Sequence, residues 1–141
     1  MEVVPFKAEH MRRMALQKAQ EGNRAWMPPD HLEAMEALNA FTLLDGDEVL
    51  VCGGVLEMWP GRGVCWTFLS GNIGRRFLRV HGYVKRALET YGYRRLECEV
   101  DCRFEQGHRW ARAMGFEVEN PRAHGYFPDG SDATIYAKVS Q

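Results

Sequence analysis

The sequence has no excess of either charge. Its 141 residues include 18 Lys and Arg against 19 Asp and Glu, a formal net charge of −1. A protein that holds nucleic acid or an acidic membrane through its overall field needs a clear positive excess. We therefore expect neither nucleic acid nor membrane among its partners.

The sequence also lacks long hydrophobic runs. No apolar stretch approaches the roughly 18 residues that a membrane-spanning helix needs. The first twenty residues contain no apolar region typical of a secretory signal. These absences predict a soluble, cytoplasmic protein.

Cysteine is scarce, and its spacing excludes the common metal motifs. The four residues, Cys52, Cys65, Cys98 and Cys102, form no C-x-x-C pair and have no histidine at zinc-finger spacing. On a strand, Cys98 and Cys102 would lie roughly 13 Å apart, too far for a disulfide. We predict reduced thiols and no metal site.

The length and the absence of repeats or linkers predict one domain over residues 1–141. A chain of this size buries roughly two thirds of its unfolded surface in a single core. The clearest local signal is a hairpin, in which strands Ala40–Leu44 and Glu48–Met58 flank an Asp-Gly turn. A third strand, Val64–Leu69, leads directly into a long helix. Its apolar face is spaced by three or four residues: Ile73, Phe77, Val80, Val84 and Leu88.

The remaining patterns complete an order of β-α-α-β-β-β-α-β-α-β-β. They predict an early strand Val3–Phe6, helices Ala8–Ala19, Asp30 onward and Phe104–Met114, strands Leu96–Cys102, Phe116–Glu119 and Ala133–Val139, and loops Asn23–Pro29 and Asn120–Ser131. Asp30 and Glu33 have the spacing of a capping box. The order predicts an α+β fold, a mixed, mostly antiparallel sheet of about seven strands flanked by about four helices. The strands on either side of the long helix should be parallel.

Small residues follow the third strand where the long helix begins: Ser70, Gly71 and then Gly74, with Arg75 and Arg76 directly after them. The first amides of a helix have no partner within it, and its dipole and two guanidinium groups add positive charge. The segment therefore predicts a phosphate or pyrophosphate site. The alternative is an ordinary turn in which the glycines only provide conformational room.

Two other features are candidates for a site. Gly53-Gly54 inside a strand indicates either a β-bulge that would redirect Val55 to Glu57 toward a site or a bend over neighbouring helices. Glu57 and the acidic face of Leu96–Cys102 are candidate general bases. That face consists of Glu97, Glu99 and Asp101, and its alternative is a solvated surface paired with Arg94, Arg95 or Lys85.

With these features in view, the chain resembles the GNAT superfamily of N-acetyltransferases over nearly its whole length. The family's pyrophosphate loop, Q/R-x-x-G-x-G/A, corresponds to Leu69–Gly74. Gly74 matches, while Leu69 replaces Gln or Arg and Asn72 replaces the first Gly. The resemblance implies acetyl-CoA as co-substrate, with its pyrophosphate on the amides of Asn72–Arg76 and its pantetheine arm on the backbone of Thr67–Leu69. The assigned cofactor residues are Thr67, Phe68, Leu69, Ser70, Gly71, Asn72, Ile73, Gly74, Arg75 and Arg76.

A later family pattern aligns with the segment from Val100 to Gly115-Phe116, but Ala111 replaces its usual tyrosine acid. Cys102 or His108 would then protonate the leaving thiolate, or solvent would. Within the superfamily the chain looks most like small proteins of tailed phages and prophages, including the group of the internal virion protein A.

The resemblance implies direct attack of an amine on acetyl-CoA, with Glu57, Asp101 or a bound water as base and amides near Leu69 polarising the thioester. The alternative is a phage internal virion or host-interaction protein that keeps the fold with little or no catalysis. The acceptor stays open between a small molecule and a protein. A homodimer and a virion or host protein are further candidate partners, and a phage protein would lie in the host cytoplasm or the virion.

Overall fold

The computed structural model describes residues 1–22 and 30–140. The predicted loop Asn23–Pro29 therefore lies outside the described residues. The chain forms two compact units. Unit 1 comprises the described residues of Met1–Leu56 together with Trp66–Gly92, and unit 2 comprises Glu57–Cys65 and the described residues from Tyr93 onward.

The described residues form seven strands and four α-helices in the predicted order. The strands are β1 (Glu2–Pro5), β2 (Asn39–Asp45), β3 (Glu48–Trp59), β4 (Arg62–Leu69), β5 (Arg95–Asp101), β6 (Glu117–Ala123) and β7 (Ala133–Val139). The helices are α1 (Ala8–Arg13), α2 (His31–Met35), α3 (Phe77–Thr90) and α4 (Glu105–Ala113), with short 3₁₀ turns at Lys18–Gln20 and Gly74–Arg76. The strands are hydrogen-bonded in the order β1-β2-β3-β4-β5-β7-β6. The predicted α+β class and mostly antiparallel sheet are confirmed.

Unit 1 has its core between the β2–β3 hairpin and the first two helices. β1 pairs with β2 and β2 with β3, both antiparallel. The core cluster comprises Phe6, Ala8, Met11, Met14, Leu16, Leu32, Met35, Val49, Cys52 and Phe68. In α3 the predicted apolar face is buried at Val80, Val84 and Leu88, whereas Phe77 is partly exposed and Leu78 is 82% exposed.

Unit 2 is built on β5. The first residues of β4 pair parallel with it, from Arg62 opposite Arg95 to Val64 opposite Glu97, which confirms the predicted parallel arrangement. β7 pairs antiparallel with all of β5, and β6 pairs with β7. The four cysteines are free thiols.

Three local predictions were wrong. α1 ends at Arg13 because Met14 is extended and Leu16 then forms an antiparallel bridge with Ser70. The side chain of Asp30 makes no capping bond, and Glu33 instead pairs with Arg12. The predicted loop from Asn120 begins inside β6, which runs to Ala123.

Proline is tolerated in β6 because the pairing with β7 is irregular. The register shifts between Val118 and Asn120 and again between Asn120 and Ala123. A residue without an N–H, here Pro121, fits at such an interruption on an edge strand.

In the part of the chain that the structure describes, no helix is both long enough and apolar enough to cross a membrane.

Candidate functional site

The turn after β4 presents free backbone donors. Its first amides are bonded within unit 1: Gly71 N–H donates to Ala15 O at 2.8 Å and Asn72 N–H to Ser70 Oγ at 3.0 Å. The next three amides, of residues 73–75, donate to no acceptor among the described residues. Gly74 has φ +53, a left-handed conformation that favours glycine. Three successive N–H groups without an acceptor in the described chain thus precede α3, and a right-handed Ile73 followed by a left-handed Gly74 is a backbone arrangement that suits an anion.

The two arginines of this turn have different surroundings. The Arg76 guanidinium donates to Asp45 Oδ2 at 3.1 Å and to Glu48 Oε1 at 2.8 Å, and its Nε donates to Ile73 O at 3.2 Å. These hydrogen bonds, first to Glu48 and then to Asp45, raise the pKa of Arg76. Arg76 therefore connects the turn to the β2–β3 hairpin, with its charge balanced by carboxylates. Arg75 is exposed and has no side-chain partner among residues 1–22 and 30–140.

The backbone edge at the end of β4 is already hydrogen-bonded within unit 1. Gln20 Nε2 donates to Thr67 O at 2.7 Å, and Leu69 N–H donates to Gln20 Oε1 at 2.9 Å. Gln17 N–H donates to Leu69 O at 2.8 Å. The groups that the resemblance assigns to the pantetheine arm thus contact side-chain and backbone groups of the segment Ala15–Gln20.

The other residues that the resemblance assigns to acetyl-CoA offer a ligand mainly backbone groups. The side chains of Phe68, Ser70 and Ile73 are buried. Phe68 belongs to the core cluster of unit 1. Asn72 is exposed.

The glycine pair in β3 allows a close approach rather than a bulge in the pairing with β2. The register runs unbroken through Gly53 and Gly54, and the irregularity lies at Leu43/Leu44. A Cβ at Gly54 would lie 2.4 Å from Asn39 O and 3.0 Å from the Trp66 ring. Of the two alternatives for this pair, the bulge does not occur in the pairing with β2, and the glycines accommodate a neighbouring backbone and an indole ring.

In unit 2, two candidate bases are engaged by hydrogen bonds. Asp101 accepts the Arg103 N–H at 2.9 Å and bonds the Arg103 guanidinium, which is the main cause of its lowered pKa. Glu57 is exposed and accepts the Tyr93 hydroxyl at 2.9 Å. A carboxylate held by a cation is a weak base.

The acidic face of β5 contains two glutamates whose pKa values are shifted in opposite directions. Glu97 accepts bonds from Arg62 and Arg95, and the Arg62 bond is the main cause of its lowered pKa. Glu99 is partly buried and has no side-chain partner in the described chain. Burial is the main cause of its raised pKa, and the charge of Glu97 adds to the shift. A raised pKa makes Glu99 the stronger base of the two.

The two candidate acids lie close together. His108 is buried, with its Nδ1 2.7 Å from the Tyr136 hydroxyl and its Nε2 3.1 Å from Cys102 O. Because a carbonyl only accepts, Nε2 carries a proton, and in the neutral imidazole Nδ1 accepts from Tyr136. The Cys102 thiol lies 3.7 Å from Pro121 O and 3.5 Å from Thr134 Oγ1. Both acids thus have partners within unit 2, and their catalytic role stays a prediction.

The structure also identifies contacts that sequence reasoning missed. The side chain of Gln20 bonds β4, yet its residue type and position carry no local signal for that contact. The alternation along β5 places Glu99 on the acidic face of the strand. It does not show that Glu99, unlike Glu97, has no cationic partner in the described chain. Among the described residues, no three His, Cys, Asp or Glu side chains lie together as a metal site.

No protein-family model matches the sequence, and no curated protein matches it. Solved structures do match. Ard1 from Thermoplasma volcanium has a TM-score of 0.79 at 11% identity, covering 99% of this chain and 97% of that chain. The ribosomal-protein-S18-alanine N-acetyltransferase from Escherichia coli has a TM-score of 0.68 at 14% identity, covering 99% and 94%. An acetyltransferase (GNAT family) from Bacillus anthracis has a TM-score of 0.68 at 10% identity, covering 97% and 93%.

These structures define the class of fold. The chain has the fold of the GNAT acetyltransferases, and it spans nearly the full length of each of the three. At such low identity the likeness shows the fold alone. The resemblance to the internal virion protein A group stays a prediction.

Proposed function

We propose that this protein is an N-acetyltransferase that transfers the acetyl group of acetyl-CoA to a primary amine. The observation that carries the proposal is the turn between β4 and α3. In it the left-handed Gly74 lies within three successive free amides, and the exposed Arg75 follows. The fold supports it, because the acetyltransferase structures from Escherichia coli and Bacillus anthracis are similar over almost the whole chain.

The residues of the turn fit a pyrophosphate. The amides of Ile73, Gly74 and Arg75 would donate to its oxygens, and the Arg75 guanidinium would add charge. The side-chain amide or guanidinium usual at the first loop position is missing, because Leu69 is there and its side chain is buried. Backbone amides therefore carry most of the recognition.

The backbone edge of β4 fits an extended chain of amides. Thr67 O and Leu69 N–H form an acceptor and donor pair, as the edge of a strand does. The secondary amides of a pantetheine arm would bond them in the same pattern as Gln20 does now.

The reaction needs a neutral amine and a place for its proton. The amine nitrogen forms a bond to the acetyl carbon, the carbon–sulfur bond breaks, and the thiolate leaves. The amine proton passes to water or to a carboxylate, and Glu99, which has a pKa raised by burial and no side-chain partner in the described chain, is the first carboxylate to test. The thiolate takes its proton from solvent water, from Cys102 or from His108, and the acid role of the last two stays a prediction.

The test is an assay of thiol release from acetyl-CoA with two acceptor panels. One contains small primary amines and the other peptides with free N-termini or lysines. We expect turnover with at least one panel, and a decrease of about a hundredfold or more in kcat for Glu99→Gln with acetyl-CoA binding retained. Glu57→Gln and Asp101→Asn are the matched controls.

The outcomes separate the assignments. Normal turnover of Glu99→Gln with a large loss in one of the controls would move the base to that carboxylate. No thiol release with either panel would favour the non-catalytic alternative, and a virion or host protein would then be the partner to look for.

A further inference from the structure

The segment Ala15–Gln20, here called the covering segment, lies against the free edge of β4 as a short substitute strand. Leu16 forms an isolated antiparallel bridge with Ser70. On either side of this bridge Gly71 N–H donates to Ala15 O, and Gln17 N–H donates to Leu69 O, each at 2.8 Å. The covering segment then forms the 3₁₀ turn Lys18–Gln20, and the side chain of Gln20 bonds the next groups along β4.

The carboxamide of Gln20 imitates a peptide group on this edge. Its Nε2 donates to Thr67 O at 2.7 Å and its Oε1 accepts from Leu69 N–H at 2.9 Å. Gln17 Nε2 donates to the same Oε1 at 2.8 Å, which orients the carboxamide. The edge groups of Thr67 and Leu69 are therefore satisfied as if another strand lay beside them.

The single amide hydrogen of Leu69 prevents Gln20 and a ligand from bonding this edge at the same time. A carbonyl has two lone pairs and accepts more than one bond, but a backbone N–H donates a single hydrogen. The hydrogen of Leu69 N–H is directed to Gln20 Oε1. An amide or thioester oxygen of a ligand at the same place must replace that oxygen.

We infer that the covering segment is an autoinhibitory element that competes with acetyl-CoA for the β4 edge. The inference rests on the proposed function, because it requires that the cofactor bind Thr67 and Leu69. The cofactor binds only the fraction of molecules in which Gln20 has left the edge, so its apparent affinity is reduced by that fraction. A contact that stabilises the open segment would activate the protein, and one that stabilises the closed segment would inhibit it.

The first test compares acetyl-CoA binding by calorimetry in the wild type, Gln20→Ala and Gln20→Glu. Gln20→Ala removes both bonds of the carboxamide to β4, and we expect its affinity to rise about tenfold. Gln20→Glu keeps the length of the side chain but loses the donor to Thr67 O, so its affinity should rise as well, by less. Ala19→Ser, an exposed change in the same 3₁₀ turn, is the control and should bind like the wild type.

The outcomes distinguish this inference from the proposed function. Equal affinity of the wild type and Gln20→Ala would overturn the inference while the cofactor site stands. Weaker binding by Gln20→Ala would also overturn it, since Gln20 would then support the cofactor. If none of the proteins binds acetyl-CoA, the proposed function fails and the inference fails with it.

A second test measures hydrogen exchange of single amides by NMR and needs no catalysis. Saturating acetyl-CoA should speed exchange at Gln17 and Gly71, because their acceptors are lost when the covering segment leaves. Leu69 N–H should stay protected in the wild type, bonded first to Gln20 and then to the ligand. Continued protection of Gln17 and Gly71 at saturation would show that the segment does not leave, and would overturn the inference.

Discussion

The Tyr136 hydroxyl donates to His108 Nδ1 at 2.7 Å, joining β7 to α4 in the interior of unit 2. Tyr136 is 1% exposed and His108 is 8% exposed. The second ring nitrogen of His108 donates to Cys102 O. These two bonds connect β7, α4 and the end of β5, so both side chains stabilise unit 2.

Tyr136→Phe keeps the ring and leaves His108 Nδ1 without its donor. A buried acceptor that loses its partner costs about 1–3 kcal/mol. We expect the free energy of unfolding in urea to decrease by that amount. His108→Phe, which removes both bonds, should cost at least as much, and unchanged stability in Tyr136→Phe would contradict the assigned bond.

Gly54→Ala should destabilise unit 1, because the added Cβ would lie 2.4 Å from Asn39 O and 2.9 Å from Ala40 Cα. Backbone atoms cannot move aside as a side chain does, and overpacking costs about 1–3 kcal/mol. Gly82→Ala in α3 is the matched control, since its Cβ meets nothing within 4 Å. That control should gain about 0.5–1 kcal/mol of helix stability in the same urea titration. A neutral Gly54→Ala would mean that β2 and β3 are not so close at this point.

The sequence was informative wherever neighbours along the chain decide the structure. Two strand-like runs across an Asp-Gly turn located the β2–β3 hairpin, and the last strand, Ala133–Val139, has its predicted bounds. The three-and-four spacing located α3, with Val80 and Val84 buried as expected. Each of these signals lies within a few residues of the element that it predicts.

It was uninformative where distant residues compete for the same atoms. The contact of Gln20 with Leu69 N–H spans 49 positions, and nothing local indicates it. The same long-range pairing ends α1 early, since Leu16 leaves the helix to meet Ser70. Asp30 had the right spacing for a cap, but Glu33 pairs with Arg12 from another helix.

Glu97→Gln and Glu99→Gln should shift stability in opposite directions. The pKa of Glu99 is raised above its ordinary value of 4.5, so the folded state prefers the protonated acid and loses stability as pH rises. Glu99→Gln should therefore be more stable than the wild type near about pH 8, and the difference should vanish below about pH 4.

For Glu97 the sign is reversed. Its pKa is lowered by Arg62 and Arg95, so its contribution is present above 4.5 and disappears as pH falls through the lowered pKa. Glu97→Gln should be less stable than the wild type near neutral pH, by about 1–3 kcal/mol for lost bonds to charged groups. Thermal melts of the three proteins across this pH range measure both effects. Shifts of the same sign would contradict the assigned environments.

Arg75→Gln and Arg76→Gln should separate binding from folding. Arg75 is exposed, so its loss should leave the melting temperature unchanged and weaken acetyl-CoA binding about fivefold at low salt, with less effect at high salt. Arg76 connects Asp45 and Glu48 to the turn, so its loss should lower the melting temperature without ligand. Melting curves and calorimetric titrations at two salt concentrations measure both. The reverse pattern would show that Arg76 is the phosphate ligand.

The most direct measurement is a calorimetric titration of the wild-type protein with acetyl-CoA and, separately, with acetyl-pantetheine, which lacks the nucleotide pyrophosphate. A cofactor site at Ile73–Arg75 predicts a dissociation constant for acetyl-CoA of about 100 µM or below, a free energy of roughly −5.5 kcal/mol. It also predicts binding of acetyl-pantetheine that is at least about tenfold weaker, because the free amides then have no anion to bind. No heat with acetyl-CoA and no thermal shift from millimolar CoA would contradict the cofactor site.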